Sequence, residues 1–238
     1  MVLAGTTRDD LLADVKRFIE SRKWYEDRGL PYRRGYLLYG YPGTGKTSVT
    51  MALASHFNLP IYILNLNSIK RDETLAKMIG HLPKDSILLM EDVDVVVPSR
   101  EKAKDDISLS ALLNAIDGIG AGDGRILVLT TNHIEKLDPA LLRPGRVDTK
   151  VFFDLFGPDE AKVLFDLFYG ATGFADDFAA AMQGKKLSPA ALQGIFMINR
   201  DNPRGAIASV ALNKAQDLEK EAILPTITTA VEKDGEDD

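Results

Sequence analysis

Cysteine is absent from this chain of 238 residues, and histidine and tryptophan are scarce, with three and one respectively. Without cysteine, disulfides, thiolate metal sites and cysteine nucleophiles are all excluded. The three histidines, His56, His81 and His133, lie far apart in the sequence and lack the paired spacing of a zinc site. The metal to expect is therefore magnesium, held by oxygen ligands.

Long apolar runs and an excess of basic residues are also missing. No run approaches the ~18 residues that a membrane-spanning helix needs, and the first residues lack the apolar segment of a signal peptide. The chain is therefore expected to be soluble. Its net charge is -6, and no basic stripe with interleaved aromatic residues indicates nucleic-acid binding. Residues 224–238 carry five acids against one lysine and are predicted to form a disordered acidic tail.

One short stretch is rich in glycine: YGYPGTGKTS, at Tyr39–Ser48. From Gly40 to Thr47 it has the spacing G-x-x-x-x-G-K-[ST] of a loop that wraps a polyphosphate. A short apolar strand precedes it, and the helical pattern of Lys46–His56 begins where the loop ends. This context favours a phosphate-binding loop over a glycine-rich surface turn. The candidate ligand is ATP or GTP.

The chemistry of such a loop assigns a role to each residue type. Glycine lets the backbone approach phosphate oxygens, so that successive N–H groups point inward, and the helix start adds further donors. Lys46 should reach the β and γ phosphates, and the Thr47 hydroxyl should ligate magnesium. The predicted nucleotide-binding residues are Gly40, Tyr41, Pro42, Gly43, Thr44, Gly45, Lys46, Thr47 and Ser48.

Hydrophobic periodicity predicts an α/β fold in which a doubly wound parallel sheet of five strands is followed by a small helical domain. The predicted strands are Gly35–Tyr39, Ile61–Asn65, Ser86–Glu91, Ile126–Thr131 and Lys150–Asp154. One amphipathic helix is expected over 7–27, before the sheet. Further helices are expected at Lys46–His56, Glu73–Ile79, Ile107–Asp117 and Pro139–Leu142.

After Asp154 only helical patterns occur. They cover Pro158–Phe168, Asp176–Met182, Pro189–Met197 and Pro203–Leu218. The predicted domains are therefore an α/β domain over 1–154, a helical domain over 155–223 and the acidic tail over 224–238.

An apolar strand that ends abruptly in acids marks a second site element. Glu91, Asp92 and Asp94 follow Ser86–Met90, and several carboxylates at the edge of a sheet require a nearby cation. Since ligands gather at the carboxyl ends of parallel strands, this cluster should meet the phosphate loop there. One acid is expected to hold magnesium and the other to orient or deprotonate the attacking water. By position, Glu91 takes the magnesium role and Asp92 the water-activating role, although many such ATPases have the order Asp–Glu.

Two further elements complete the predicted constellation. Asn132 follows the strand Ile126–Thr131 and could sense the γ-phosphate or position water. Arg143 and Arg146 flank a Pro-Gly turn and cannot easily both reach a phosphate of their own subunit. Supplied across an interface, they would neutralise charge in the transition state, whereas the alternative is a pair of surface salt bridges.

These motifs together carry a family resemblance. GYPGTGKT, LLMEDVD, LTTN and LDPALLRPGRVD, in this order, resemble the AAA ATPase family over nearly the whole chain. More narrowly, EDRG followed by LPYRRGYLLYG, the Glu–Asp order and LSALLNAIDG resemble the mitochondrial complex III assembly chaperones. That family moves the folded Rieske iron-sulfur protein across the inner membrane. Tyr41 departs from the family pattern, because a proline is usual at its position.

The resemblance implies a ring-shaped homo-oligomer, a heptamer in this family, that hydrolyses ATP with Mg²⁺. The helical domain becomes a lid, Asn132 a first sensor, and Arg143 and Arg146 fingers that act on the neighbouring subunit. Arg204 lies roughly where a second sensor could be, although solvation of a helix start explains it equally. The membrane helix and substrate domain that precede this ATPase in the family are absent from the sequence. An excised motor or a relative without its targeting region is therefore expected, on the matrix side of the inner membrane.

Two other function classes remain open. A nucleotide-binding switch or assembly scaffold without hydrolysis would fit the Glu91–Asp92 order if the chemistry has been lost. A DNA clamp-loading or helicase module is disfavoured by the acidic charge balance. A folded client is preferred to a threaded one, because the segment after the second strand, 67–72, offers no aromatic side chain to grip an extended chain.

Overall fold

A parallel sheet of five strands forms the centre of the molecule. The computed structural model describes residues 2, 7–95, 107–118 and 123–212, and the acidic tail predicted over 224–238 lies outside them. The strands follow one another along the sheet in the order β2-β3-β4-β1-β5, and every pair is parallel. The predicted sheet is thereby confirmed. Its strands are β1 (Arg34–Gly40), β2 (Ile61–Asn65), β3 (Ile87–Glu91), β4 (Ile126–Thr131) and β5 (Thr149–Phe153).

Helices cover both faces of the sheet, which explains why its central strands are almost continuously apolar. Successive residues of one strand point to opposite faces, so Leu37 of β1 enters one hydrophobic core and Leu38 enters the other. The first core lies under α4 (Asp72–Gly80) and α5 (Leu109–Asp117), and the second lies under α1 (Thr7–Glu20) and α3 (Lys46–His56).

Two helix predictions on this part of the chain are wrong. The helix expected over 7–27 breaks at Ser21 into α1 and α2 (Arg22–Glu26). The Ser21 hydroxyl donates to the Arg17 carbonyl, and its N–H donates to the Phe18 carbonyl at 3.0 Å, so the regular helical ladder ends there.

The helix expected over Pro139–Leu142 is a pair of turns. Leu141 and Leu142 donate to carbonyls three residues back, at 2.9 and 3.1 Å. The Asp138 side chain accepts the N–H of Ala140 at 2.7 Å, as a helix cap would, but Pro144 has no N–H and restricts Arg143, so the turns do not extend into a regular helix.

Four helices follow the sheet and pack around a core of phenylalanines. They are α6 (Pro158–Tyr169), α7 (Ala175–Ala181), α8 (Pro189–Ile198) and α9 (Pro203–Leu212). The rings of Phe165, Phe178 and Phe196 are fully buried, and the first two stack with centroids 4.7 Å apart. The predicted helical segment is thus confirmed as far as Leu212; the remainder of the helix expected over Pro203–Leu218 lies outside the described residues. Within the described ranges, no helix is both long enough and apolar enough to cross a bilayer.

Candidate active site

The carboxyl ends of β1, β3 and β4 bring the predicted site residues together. Because β4 lies between β1 and β3, the glycine-rich loop after β1 faces the acids after β3 across the end of β4. Asn132, the first residue after β4, therefore lies between the loop and the acids. The sequence prediction that these three segments converge agrees with this topology.

The glycine-rich loop requires its glycines where the backbone turns. Gly40 has φ +134°, and a Cβ there would lie 2.2 Å from the Phe153 carbonyl oxygen of β5. Gly43 has φ +72°, and a Cβ there would lie 3.1 Å from the Ala190 Cβ of α8. An L side chain rarely adopts either conformation, Gly40 has no room for a Cβ, and a Cβ at Gly43 would require Ala190 to shift by a few tenths of an ångström.

Lys46 is buried beneath this loop and is held by neutral oxygens. Its Nζ donates to the carbonyls of Gly40 and Tyr41 at 3.1 and 2.8 Å, and to Asn132 Oδ1 at 2.7 Å. Burial lowers the pKa of Lys46 to about 8, against the opposing effect of the Asp92 and Asp94 carboxylates. An ammonium group without a direct carboxylate partner can transfer its hydrogen bonds to incoming phosphate oxygens.

Thr47, the next residue, faces the acids. Its hydroxyl donates to Glu91 Oε1 at 2.6 Å. A hydroxyl beside a carboxylate is an oxygen donor set that suits Mg²⁺ together with phosphate oxygens and water. In the part of the chain that the structure describes, no group of three or more His, Asp or Glu side chains could hold a metal alone. The pair therefore fits a magnesium ion that arrives with a polyphosphate.

Asp92 is presented to the site by an unusual backbone conformation. Its φ is +49°, and its N–H donates to Thr130 Oγ1 at 3.2 Å. Asp92 is exposed as a whole, but its carboxyl group is partly buried. This burial, together with the charges of Asp94 and Glu91, raises the pKa of Asp92, whereas Lys46 lowers it. A carboxylate with a raised pKa accepts a proton more readily.

The last two residues of β4 support the acids, a contribution that the sequence reasoning missed. Thr130 holds the backbone of Asp92, and the Thr131 hydroxyl donates to Asp94 Oδ1 at 2.6 Å. Thr131 Oγ1 also accepts the N–H of His133 at 2.9 Å. The sequence did contain a signal for this support, namely two threonines at the end of an otherwise apolar buried strand.

A cavity of about 590 Å³ lies over the loop and the acids, and the helical segment closes one side of it. The Ala190 N–H at the start of α8 donates to the Gly43 carbonyl at 3.1 Å, which joins that segment to the loop. Sequence reasoning missed this wall, because it follows no motif. The wall consists of Phe156, Leu164, Leu167, Pro189, Ala190 and Gln193.

The predicted loop residues divide into two groups around this cavity. Gly40 and Tyr41 do not line it, and their carbonyls hold Lys46 instead. The other predicted residues of the loop, together with Glu91, Asp92 and Asn132, line the cavity directly: Pro42, Gly43, Thr44, Gly45, Lys46, Thr47 and Ser48.

The predicted arginines lie elsewhere. Arg143 is exposed, and Arg146 donates to Asp117 Oδ2 and to the Ala140 carbonyl, both at 2.6 Å. Neither lines the cavity. Arg204 lies over the ring of Phe174, 4.9 Å from its centroid, and does not line the cavity either.

Comparisons with known proteins agree with this architecture. Residues 36–155 match the family model of the ATPase family associated with various cellular activities (AAA). Residues 158–212 match the model described as the mitochondrial chaperone BCS1-like ATPase lid domain. The fold is therefore that of an AAA domain followed by a helical lid domain.

Similar full-length proteins point in the same direction. A probable mitochondrial chaperone bcs1 of Schizosaccharomyces pombe is 41% identical over 214 residues, which are 87% of this chain and 48% of that protein. The mitochondrial chaperone BCS1 of Homo sapiens is 41% identical over 221 residues, covering 87% of this chain and 53% of its own length. The Danio rerio protein of the same name is 40% identical over 226 residues, with 89% and 54% covered. The chain thus spans about half the length of these relatives.

Proposed function

Since this chain belongs to the AAA ATPase family and carries the lid domain of the BCS1-like chaperones, we propose that it hydrolyses ATP to ADP and phosphate in a homo-oligomeric ring. The observation that carries the proposal is the cluster at the carboxyl edge of the sheet. There Lys46, Thr47, Glu91, Asp92 and Asn132 surround one cavity of a size that suits a nucleotide.

Binding would begin with the loop and Lys46. The triphosphate would lie against the N–H groups at the start of α3, and Lys46 Nζ would exchange its carbonyl acceptors for phosphate oxygens. The apolar lid wall would receive the base and ribose. Among the lid residues that line the cavity, Gln193 has the polar side chain best suited to the edge of a base.

Thr47 and Glu91 would hold magnesium, since their oxygens already lie 2.6 Å apart. Bound there, Mg²⁺ would neutralise charge on the phosphate oxygens. Asp92, with its raised pKa, would orient the attacking water and accept its proton. Asn132 would fix the position of that water or of the γ-phosphate, because its amide oxygen already touches Lys46.

Charge on the departing phosphate would be neutralised from the neighbouring subunit. Arg143 is exposed and outside its own cavity, as a residue acting on a neighbour must be. Arg146 is fixed by Asp117 and would hold the shape of the turn as well as add charge. Hydrolysis would then depend on correct packing of two subunits and could be coupled to their rotation.

The cellular role is proposed from the relatives. Their names support a mitochondrial chaperone, and the sequence resemblance supports assembly of complex III. We infer a heptameric ring on the matrix side of the inner membrane, moving the folded Rieske iron-sulfur protein as its client. The lack of an aromatic side chain at 67–72 supports a folded client over a threaded one.

A single-turnover experiment tests the hydrolytic function. Protein in excess over radiolabelled ATP and Mg²⁺ is expected to bind the nucleotide and then to release labelled phosphate. Tight binding without phosphate release would instead support a switch or scaffold, the alternative favoured by the shorter acid, Asp92, at the water-activating position. Failure to bind ATP at all would contradict both functions.

A further inference from the structure

A second, much smaller cavity lies at the amino-terminal edge of the sheet, opposite the candidate active site. It measures about 20 Å³ and opens between the starts of β1 and β4 and the turn that carries Arg146. Four arginines line it: Arg33, Arg34, Arg125 and Arg146. A space of this size holds one water-sized group.

Two of the four arginines already have carboxylate partners. Arg34 forms a bidentate pair with Asp14, with both N–O distances at 3.0 Å. Arg146 Nε lies 2.6 Å from Asp117 Oδ2. These two charges are locally balanced and need no further anion.

Arg125 has no such partner in the described ranges, although it is the most buried of the four. It is only 6% exposed, its Nη2 donates to the Leu82 carbonyl at 3.0 Å, and its buried Nε has no hydrogen-bond partner. Burial lowers the pKa of Arg125, yet a guanidinium in a protein remains charged. A buried cation with an unused donor is costly unless an anion reaches it.

Arg33 adds a second unbalanced charge at the mouth of the cavity. Its Nη2 lies next to Gly145, 3.8 Å from where a Cβ would stand, and it has no carboxylate partner among the described residues. The nearby Asp148 does not supply one. Its two oxygens accept the N–H groups of Gly35 and Gly145 at 2.9 and 3.0 Å.

We propose that this cavity, which we call the arginine cavity, is an anion site that takes chloride or a single oxygen of a carboxylate or phosphate. Arg125 Nε supplies the buried donor and Arg33 the donor at the mouth. The anion is either free in solution or a carboxylate of a second copy of this chain, since both offer the same chemistry to the two guanidinium groups.

Thermal unfolding at constant ionic strength tests the site. The background is Lys46→Ala, which weakens anion binding at the glycine-rich loop, and chloride replaces methanesulfonate, whose weakly basic oxygens compete poorly for a guanidinium. At ten times the half-saturating chloride concentration the unfolding temperature is expected to rise by about 3 to 6 °C. Arg125→Met and Arg33→Gln should each abolish most of this rise, whereas Arg200→Gln, which removes an exposed charge from the lid, should leave it intact.

The unfolding temperature of Arg125→Met in the absence of chloride distinguishes loss of anion binding from general destabilisation of the fold. In methanesulfonate, Arg125→Met is expected to unfold at the same or a higher temperature than its parent, because it removes an unpartnered buried charge. An equal chloride effect in the parent, Arg33→Gln, Arg125→Met and Arg200→Gln would overturn the proposal. So would the absence of any chloride effect in the parent together with a stability that does not depend on protein concentration.

Protein concentration distinguishes the two sources of the anion. A free ion gives the same rise over about a hundredfold range of protein concentration. A carboxylate of a second copy makes stability rise with protein concentration, and Arg33→Gln then weakens self-association in sedimentation while added chloride competes with it. Either result supports the site and identifies its occupant.

Discussion

The two edges of the sheet differ in the sign of the charge that they leave unbalanced. At the carboxyl edge, Glu91, Asp92 and Asp94 outnumber Lys46, and burial, together with the charges of Asp94 and Glu91, raises the pKa of Asp92. At the amino edge, in the part of the chain that the structure describes, arginines outnumber acids and the Nε of Arg125 has no partner. The carboxyl edge therefore requires a cation and the amino edge requires an anion. The two edges are about one strand length apart. A charge substitution should have different consequences at the two edges.

The largest effect is expected at the amino edge, from Arg143→Ala. Its turnover of ATP should fall about 1000-fold or more, with ATP affinity nearly unchanged, because the lost charge acts only on the transition state of a neighbour's nucleotide. Steady-state hydrolysis and equilibrium binding of a fluorescent ATP analogue measure the two quantities. Arg200→Ala is the matched control and should behave like the unaltered protein.

Arg146→Ala extends this prediction. It should reduce turnover to a similar degree and also lower the unfolding temperature, because Asp117 loses its partner. Normal hydrolysis by both variants would show that the amino edge has no part in catalysis. It would contradict the role proposed for that edge.

The second largest effect is expected at the carboxyl edge, from Asp92→Asn. Turnover should fall by about 100-fold or more while ATP binding is retained, since an amide cannot accept the proton of the attacking water. Asp92→Glu keeps the carboxylate and should retain far more activity. Equal loss in both variants would indicate a structural role for the left-handed backbone at this residue instead.

Lys46→Met should weaken ATP binding about 100-fold, which corresponds to ~3 kcal/mol and to the loss of charged hydrogen bonds to phosphate. Calorimetry with ATP and Mg²⁺ measures this change. Lys136→Met removes an exposed lysine and serves as the control. Undiminished affinity would contradict the assignment of the carboxyl edge as the nucleotide site.

The smallest effect is a dependence on pH that has opposite signs for stability and for binding. Burial holds the pKa of Lys46 at about 8, below the unfolded value of 10.5, so the unfolded chain binds more protons between these values. The contribution of Lys46 to stability should therefore rise from about pH 8 to pH 10.5. Over the same range ATP affinity should fall, by at most about tenfold for each pH unit, because neutral lysine no longer attracts phosphate.

The difference between the unaltered protein and Lys46→Met isolates this residue from other groups that titrate at high pH. Denaturant unfolding and ATP binding should be measured at each pH for both. A difference that does not change between pH 7.5 and 9.5 would contradict the lowered pKa, because the change is expected to begin at about pH 8.

Sequence reasoning succeeded where one local rule determines the structure. Apolar runs that end in polar residues located all five strands to within about one residue, because a strand covered on both faces has little freedom in composition. The glycine-rich loop was equally predictable, since Gly40 and Gly43 have conformations that other residues rarely adopt.

The errors arose where the backbone is interrupted locally. The Ser21 hydroxyl bonds back to the preceding turn and ends a helix whose apolar periodicity continues, and Pro144 limits the segment after Asp138 to turns. The missed parts of the site depend on contacts between distant segments. The lid wall, the support of Asp94 by Thr131 and the pairing of Arg146 with Asp117 all join residues that follow no common motif.

The hydrogen bond from Ala190 to Gly43 has a mechanical consequence for the lid. The carbonyl of Gly43 and the N–H of Thr44 belong to one planar peptide group and point in opposite directions. The start of the lid helix α8 binds the carbonyl end of this peptide group. A bound phosphate that rotated the peptide group would therefore change the hydrogen bond that joins the lid to the loop.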